Sequence, residues 1–306
     1  MTGKIFIALV CLPGLLLTGC GGKGGKNERK ETPTSGTIHI SVDESFKPVM
    51  DAEIKVFESS FPNAHVIPEY KAEAECFRDL LKDSTRMIIV TRELSKAEQQ
   101  FYQDSLQYVP IFGRLAYDAI AVVINNACKD TLFTMPQIKS LLAGNAGNDL
   151  HAVMDGVSAT STVRYALDSV LKGIPLGKNV SAARSSQQVL DYVAKNKNAV
   201  GFVGVGWIGD QDDPDQLKFL EEVKVAGIRC STCADGTYYK PYPANIARDG
   251  YPMVRGLYYI LKENFRGVGN NFVNFLQLER GQLIFRRAYL IPSRMSFELR
   301  DMRIGN

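Results

Sequence analysis

The sequence is poor in histidine and lacks the short motifs of common enzyme classes. Its three histidines, His39, His65 and His151, stand far apart, and the chain contains no HExxH, GxSxG or GxxxxGK[ST] pattern. The glycine-rich segment GFVGVGWIGD at residues 201–210 is not followed by the helix start of a phosphate-binding loop, so buried-strand packing explains it better. We therefore predict that the protein is not an enzyme and that it holds no metal and no cofactor.

The chain also lacks a strong charge imbalance. Its 36 Lys and Arg residues face 33 Asp and Glu residues, which gives a formal net charge of +3 over 306 residues. No dense basic block interleaved with aromatic residues follows the first thirty residues, so we predict no nucleic-acid partner. Because 45% of the residues are hydrophobic, the chain can bury the core of one large domain or two smaller ones.

A signal for export occupies the N-terminus. Lys4 precedes the apolar run at residues 5–17, which is broken by a Pro-Gly pair and is barely long enough to span a ~30 Å hydrocarbon core, so a cleaved signal is favoured over a permanent span. The run ends in Leu-Thr-Gly-Cys20, which resembles the cleavage motif of bacterial lipoprotein precursors. The resemblance implies a signal peptide at residues 1–19, a lipid on Cys20 and a flexible tether at residues 20–35. A secretory peptide with a coincidental cysteine is the alternative.

Cysteine is scarce in the part of the chain expected to fold. Cys76, Cys128, Cys230 and Cys233 remain there, and an oxidising compartment would allow them to pair. Cys230 and Cys233 have the spacing of a redox motif, but no second CxxC, histidine pair or thioredoxin-like context accompanies them. We expect either a structural disulfide or two unreactive thiols.

Strand and helix periodicities alternate after the tether, which predicts an α/β fold with parallel strands. The first unit contains, in order, a strand at 37–42, a helix at 46–61, a strand at 65–70, a helix at 75–83 and a strand at 87–91. A β-rich segment at 108–125 is too long for one ordinary strand and is expected to cross between lobes. A second unit then follows, with a helix opened by Thr134 and Pro136, a strand at 151–154, helices at 162–171 and 187–194, and a strand at 200–205.

The C-terminal segments are too short for a third domain. A strand at 256–261 and helices at 270–278 and 282–288 are expected to return to the first unit. We therefore predict two lobes, each a mixed sheet flanked by helices, joined by two hinge crossings. One lobe comprises residues 36–120 with 251–306, and the other comprises residues 121–250.

Three turns at predicted strand ends carry groups that suit an anion. The turn from Asp155 to Arg164 is rich in hydroxyls and leads into a helix, whose first turn offers unpaired N–H groups. An ordinary helix cap is the alternative for this segment. The turn at residues 43–46 leads into the first long helix, and Arg92, after the strand at 87–91, offers a permanently charged guanidinium. An ordinary surface arginine is the alternative for Arg92.

Several motifs resemble, in the same order, those of the phosphate-binding proteins of high-affinity phosphate ABC importers. They are Ser45-Phe46, Thr160-Ser161-Thr162, AVGFVG at residues 199–204, Tyr251-Pro252 through Leu257-Tyr258 with Arg255 nearby, and Phe275-Leu276 through Gly281-Gln282. The resemblance implies a periplasmic-binding-protein-like fold of type II and capture of inorganic phosphate in an interlobe cleft. It also implies a monomer anchored on the periplasmic side of the cell envelope that delivers its solute to ABC permease subunits. The implied ligand-binding residues are Ser45, Phe46, Glu75, Arg92, Asp155, Thr160, Ser161, Thr162 and Arg164.

The sequence departs from this family at expected ligand positions. The usual Gly-Ser turn is replaced by Ala72-Glu73-Ala74-Glu75, and the usual Ser-Asp or Ser-Arg reads Thr91-Arg92. A carboxylate that accepts the proton of hydrogen phosphate would discriminate against sulfate, and Glu73, Glu75 or Asp155 suits that role. Alternatively, Glu75 neutralises Arg92 in a structural pair.

Three other functions stay open at this point. The first is the binding of sulfate, molybdate or tungstate in the same cleft. The second is a sensor or surface-attachment lipoprotein that kept the fold but lost transport. The third is a hydrolase that uses two cleft carboxylates at catalytic separation, which would have to come from Glu73, Glu75 and Asp155.

Overall fold

The computed structural model describes residues 31–147, 149–156, 160–234 and 236–294. The predicted signal peptide, Cys20 and the tether as far as residue 30 lie outside the described residues. Glu31 already belongs to the fold, because its carboxylate pairs with Arg86 at 2.9 Å and accepts the backbone N–H of Val268 at 3.1 Å. Among the described residues, no helix combines the length and the apolar character that crossing a membrane requires.

Strands and helices alternate through the described chain. The strands are β1 (Ser35–Asp43), β2 (Asn63–Lys71), β3 (Met87–Val90), β4 (Ile111–Asn125), β5 (Leu132–Phe133), β6 (His151–Met154), β7 (Val180–Ala182), β8 (Ala199–Gly204), β9 (Val223–Val225), β10 (Gly227–Arg229), β11 (Tyr238–Tyr239), β12 (Val254–Leu261) and β13 (Ile291–Pro292). The helices are α1 (Lys47–Ser60), α2 (Glu73–Leu80), α3 (Lys96–Leu106), α4 (Met135–Leu142), α5 (Ser161–Tyr165), α6 (Ser186–Lys195), α7 (Pro214–Glu222), α8 (Pro243–Ala247), α9 (Val268–Gln277) and α10 (Glu279–Arg287). Short 3₁₀ turns occupy Glu44–Phe46 and Val205–Trp207, and a π-helical turn occupies Ala166–Leu171.

Most of the predicted elements are confirmed. The strand predicted at 151–154 matches β6, and the helix predicted at 46–61 is α1 preceded by a 3₁₀ turn. The sequence prediction missed α3 and α7, along with α8 and several short strands. The α/β class itself is confirmed.

One mixed sheet organises the fold. Its strand order is β2-β1-β3-β12-β4-β8-β6-β7, with β13 and β9 also paired to β4. Pairs β1/β2, β1/β3, β6/β7 and β6/β8 are parallel, whereas β12 and β4 pair antiparallel with their neighbours. Strands β10, β11 and β5 form a separate small sheet.

Strand β4 is shared by two parts of this sheet. Its residues 111–119 pair with β12, and its residues 120–124 pair with β8. We call β2, β1, β3 and β12 with residues 111–119 the first half of the sheet, and β8, β6 and β7 with residues 120–125 the second half. The long β-rich segment is therefore a single strand that passes from one half to the other.

Helices cover both faces of the sheet, so its central strands are apolar on both sides. In β3, Met87 and Ile89 join the large core that also buries α1 and α9, while Ile88 and Val90 join a second core beneath α2 and α3. Helix α1 contributes Phe57, whose ring centre lies 4.9 Å from that of Phe272 in α9. The C-terminal helices therefore pack on the first half of the sheet.

The four cysteines of the described chain are divided between a disulfide and two free thiols. Cys230 and Cys233 are disulfide-bonded, with their Cα atoms 5.5 Å apart, which confirms the structural alternative of the sequence prediction. Cys76 and Cys128 are free, and Cys76 is buried in the core beneath α2.

Candidate functional site

Three strands, each of which belongs to a parallel pair, end near the middle of β4. Strands β1 and β3 approach it from the first half of the sheet, and β6 approaches it from the second half. The residues at or just after their carboxyl ends are Asp43, Thr91 and Asp155, all buried. Polar groups from both halves therefore meet at the point where β4 changes partners, as expected for ligand sites in open α/β sheets.

A cluster of hydroxyls joins the two halves at this point. The Oγ atom of Ser45, in the turn after β1, lies 3.4 Å from the Oγ atom of Ser161 and 3.5 Å from the Oγ1 atom of Thr162. Both partners belong to the first turn of α5 and are fully buried. Thr160 caps the N-terminus of this helix, because its hydroxyl accepts the N–H of Val163 at 3.2 Å. The predicted capping role and the predicted hydroxyl cluster therefore coexist in one segment.

Asp155 organises the hydroxyl turn. It accepts hydrogen bonds from the Oγ1 atoms of Thr160 at 3.0 Å and Thr162 at 3.1 Å, and it lies 3.5 Å from the Oγ atom of Ser45. Burial raises the pKa of Asp155 above its ordinary value, although the threonine hydroxyls and the charge of Arg255 oppose the shift. This carboxyl can therefore accept or carry a proton beside the hydroxyls.

Arg255 supplies the buried positive charge of the cluster. It stands on β12 directly opposite Asp118 on β4, and its Nε atom donates to Asp118 at 2.7 Å. Its Nη1 atom donates to the Oγ atom of Ser161 at 2.9 Å, and its guanidinium carbon lies 5.2 Å from the ring centre of Phe46. Its Nη2 atom is buried and has no hydrogen-bond partner among the described residues. The Nη2 atom is thus a strong hydrogen-bond donor that stays available beside the hydroxyl cluster.

Asp43 brings a second carboxyl to the cluster from the first half of the sheet. One of its oxygens accepts the N–H of Ser45 at 2.9 Å and so shapes the turn after β1. Burial, followed by repulsion from Glu73 and Asp155, raises the pKa of Asp43 from 3.8 to about 6, and Arg255 opposes this shift. The folded protein therefore holds this proton more tightly than the unfolded chain does.

The raised pKa of Asp43 predicts a pH dependence of stability. A carboxyl whose pKa is higher in the folded state loses stability as pH rises, here between about pH 4 and about pH 6. Asp43→Asn keeps the oxygen that accepts the Ser45 N–H and removes the titration, so its free energy of unfolding is expected to fall less over this range. Urea unfolding at several pH values measures the slope. Asp51→Asn, on an exposed carboxylate, is the control, and equal slopes for Asp43→Asn and wild type would contradict the prediction.

Arg164, in the helix that follows β6, contacts residues that flank the first half of the sheet. Its Nε atom donates to Glu73 at 2.6 Å, and its Nη2 atom donates to the hydroxyl of Thr91, also at 2.6 Å. Burial alone would raise the pKa of Glu73, but hydrogen bonds and charge from Arg164, with hydrogen bonds from Thr91, lower it below its ordinary value. Glu73 is therefore ionised, and its carboxylate is bound by Thr91 and Arg164.

A third contact crosses between the halves beside the hydroxyl cluster. The carboxylate of Glu44 accepts the N–H of Ser186 at 3.0 Å and its hydroxyl at 2.7 Å, at the start of α6. Burial raises the pKa of Glu44 to about 7, against the effect of the bonds from Ser186. The turn of residues 44–46 therefore touches the second half through two successive side chains.

Two of the sequence-predicted site residues face other partners. Arg92 forms an ion pair with Glu98 at 2.8 Å, and its guanidinium lies 3.7 Å from the ring centre of Phe77. Glu75 is exposed and pairs with Arg78 at 3.2 Å. The alternative Glu75 to Arg92 pair is therefore not formed, because each residue finds a partner closer along the chain.

The other predicted residues meet at or beside the hydroxyl cluster, together with groups that the sequence prediction left out. The predicted residues brought together are Ser45, Phe46, Asp155, Thr160, Ser161 and Thr162, with Arg164 at the neighbouring contact. Arg255 was noted only as part of a motif, and Asp118 and Asp43 were not singled out as ligands. No local pattern marks Asp118, because it is selected by antiparallel pairing with a residue 137 positions away.

Comparisons with known proteins agree with this architecture. A sequence profile described as PBP superfamily domain matches residues 27–280. The chain therefore belongs to the PBP superfamily. No curated protein sequence matches the chain.

Three solved structures share the fold. A provisionally assigned phosphate ABC transporter substrate-binding protein with bound phosphate from Clostridium perfringens is 22% identical, with a TM-score of 0.69 over 84% of this chain and 99% of that one. An ABC-type phosphate transport receptor from Vibrio cholerae is 21% identical, with a TM-score of 0.59 over 84% and 100%. A possible phosphate binding protein from Planctomyces limnophilus is 19% identical, with a TM-score of 0.56 over 84% and 93%. The predicted two-lobed, periplasmic-binding-protein-like fold is thereby confirmed.

Proposed function

We propose that this protein is an exported, lipid-anchored solute-binding protein that captures inorganic phosphate and delivers it to the permease of an ABC importer. Its first lobe comprises residues 36–120 with 251–306, and its second lobe comprises residues 121–250. The lipid is carried by Cys20 on the periplasmic side of the envelope, and the protein acts as a monomer. The fold shared with substrate-binding proteins of phosphate transporters supports this assignment.

The observation that carries the proposal is the buried guanidinium of Arg255 among hydroxyls from both lobes. Ser45 comes from the first lobe, and Ser161 and Thr162 come from the second. The Nη2 atom of Arg255 lacks a partner in the described part of the chain, and a buried unpaired donor of this strength is costly. An oxyanion would accept from the guanidinium and from the hydroxyls at once.

Capture requires the lobes to move. The Ser45 hydroxyl lies 3.4 Å from that of Ser161 and 3.5 Å from that of Thr162, so an oxyanion can enter between the two turns only if they separate. Strand β4 and the segment just before β12, which contain the two proposed lobe boundaries, are the connections near the cluster about which the lobes would open. The anion then favours the closed state, because it is contacted by both lobes only when they are closed. No covalent step is involved.

The carboxyls of the cluster favour phosphate over sulfate. Phosphate at neutral pH retains a proton that it can donate, whereas sulfate does not. Asp155 lies beside the hydroxyls and is a suitable acceptor, while Glu73 is engaged by Arg164 and Glu75 pairs on the surface. A carboxylate that faces sulfate would meet only repulsion, so selectivity follows from the proton that phosphate donates and not from the size of the site.

Calorimetric titration of the purified protein, stripped of bound anion, tests the proposal. Phosphate is expected to bind with a stoichiometry of one, and sulfate at the same concentration is expected to give little heat. If phosphate gives no binding heat at any pH between about 6 and 8, the phosphate assignment is wrong. Equal binding of both anions would show a general oxyanion site instead.

Removal of the Ser161 hydroxyl is expected to weaken phosphate binding. Ser161→Ala deletes a neutral donor at the centre of the cluster together with its 2.9 Å contact to Arg255. A hydrogen bond to a charged group contributes about 1.5–3 kcal/mol, so we expect an increase in Kd of at least about tenfold. Ser60→Ala, at the exposed end of α1, is the matched control. An unchanged Kd for Ser161→Ala would place the anion elsewhere.

A further inference from the structure

Glu73, Thr91 and Arg164 form a charged contact across the lobes, which we call the Glu73 clasp. One oxygen of the Glu73 carboxylate accepts the backbone N–H of Thr91 at 2.7 Å and its hydroxyl at 2.6 Å. The other oxygen accepts the Nε atom of Arg164 at 2.6 Å. Glu73 and Thr91 belong to the first lobe and Arg164 to the second, so the lobes cannot separate here without breaking the clasp.

The donors of the clasp are those that an external oxyanion would use. A backbone N–H at a strand end, a hydroxyl and a guanidinium surround one carboxylate, and all three kinds of group bind phosphate and carboxylate ligands in proteins. The Glu73 side chain is only 4% exposed, whereas that of Arg164 is 36% exposed. The Glu73 carboxylate therefore occupies a position in which an external anion could bind. Arg164, the cation of this position, is partly open to solvent.

The clasp lies close to the proposed phosphate site. Arg164 follows Ser161 and Thr162 in the same helix. Burial, followed by repulsion from Glu73, raises the pKa of the Asp43 carboxyl in the cluster. Glu73 is the first residue of α2, within the segment Ala72-Glu73-Ala74-Glu75 that replaces the Gly-Ser turn of the family that the chain resembles. The negative charge of Glu73 thus lies at the edge of the proposed anion site, where it repels anions.

We propose that Glu73 is an internal competitor of the solute. Its carboxylate fills an anion-binding position formed by Thr91 and Arg164 and holds the lobes together when no solute is bound. It has to leave this position before an oxyanion gains full access to the cleft. This inference rests on the proposed function for the identity of the solute, which carries a phosphoryl or comparable oxyanion group. The energy spent on breaking the clasp lowers both the apparent affinity and the rate of capture.

The test compares Glu73→Gln and Glu73→Ala with wild-type protein. Glu75→Ala is the matched control, because Glu75 lies on the same helix and its carboxylate is exposed and paired with Arg78. Phosphate binding is followed by calorimetry, and association is followed by stopped-flow fluorescence of Trp207, the single tryptophan of the chain. Trp207 lines the same surface cavity as Glu44, at the junction between the lobes. Small-angle scattering without phosphate reports whether the lobes open.

The expected result is a gain of function. Both Glu73 variants are expected to bind phosphate at least about tenfold more tightly, which corresponds to ~1.4 kcal/mol, and to associate faster, while Glu75→Ala is unchanged. Damage to the fold alone would not increase affinity. Unchanged or weaker binding by both folded variants would overturn the inference, because Glu73 would then be either irrelevant to the solute or a direct ligand.

The scattering measurement separates this inference from the proposed function. Without phosphate, the Glu73 variants are expected to have a larger radius of gyration than wild type, because the closed empty state has lost its clasp. If wild type and variants all fail to bind phosphate but the variants open, the phosphate assignment fails and the clasp stands. If the variants stay as closed as wild type, the clasp does not hold the lobes and the inference is overturned.

Discussion

Arg255→Met is expected to lower the free energy of unfolding by about 3–5 kcal/mol and to abolish phosphate binding. Arg255 and Asp118 form a buried ion pair in which both side chains are almost fully enclosed. Removal of the guanidinium leaves the Asp118 carboxyl without its charge partner in a site from which water is excluded. The same substitution removes the only cation that contacts Ser161 in the described part of the chain. Stability and binding should therefore be lost together.

A second substitution separates these two effects. Burial raises the pKa of Asp118, and the charge and hydrogen bond of Arg255 oppose this shift, so loss of the arginine favours the protonated acid. The double variant Arg255→Met with Asp118→Asn removes the stranded charge. It is expected to be about 1–3 kcal/mol more stable than Arg255→Met alone and still not to bind phosphate. Urea unfolding and calorimetry measure the two quantities. An Arg255→Met protein as stable as wild type would contradict the assigned role of the pair.

Glu53→Met is expected to raise the free energy of unfolding at neutral pH by about 1–3 kcal/mol. Glu53 is fully buried in α1, and neither of its carboxyl oxygens has a hydrogen-bond partner among the described residues. Its neighbours on the buried face of the helix are the apolar Val49, Met50, Ile54 and Phe57. Methionine is unbranched and adapts to irregular space, so it can replace the carboxyl with little strain.

The pH dependence of this effect identifies its cause. Burial raises the pKa of Glu53 well above its usual value of 4.5, so the wild-type protein loses stability as pH rises above about 4.5. Glu53→Met lacks this titration, and its advantage over wild type should grow with pH. Lys55→Met, on the exposed side of the same helix, is the control and is expected to change stability little. A Glu53→Met protein less stable than wild type at pH values near 7 would contradict the prediction.

Sequence periodicity predicted the elements that bury an apolar face and missed those that do not. Helix α1 was found because its apolar residues recur on one side, but α3 buries only Tyr102 and α7 buries only Gln216. A helix without an apolar stripe gives no periodic signal. The caps of both helices can still be recognised in the sequence. Ser95 and Glu98 form a capping box at the start of α3, and Asp213 precedes a proline at the start of α7.

The residues of the candidate site were predictable only where their position after a strand determines where they lie in the fold. Ser45, Ser161 and Thr162 follow the carboxyl ends of strands, and such ends meet in α/β sheets. Arg255 and Asp118 meet through the register of β4 with β12, and sequence alone does not determine that register. The side chain of Arg92 is held by Glu98, six positions along the chain, and so does not join the cluster as predicted. The lobe boundaries and the lipid on Cys20 stay predictions.

A crystal structure of the protein grown with phosphate tests the central claim most directly. The account predicts one phosphate between the lobes, contacted by Ser45, Ser161, Thr162 and the Nη2 atom of Arg255, with Glu73 withdrawn from Arg164. Phosphate bound outside this cluster, or a cluster that stays closed on itself at saturating phosphate, would contradict it.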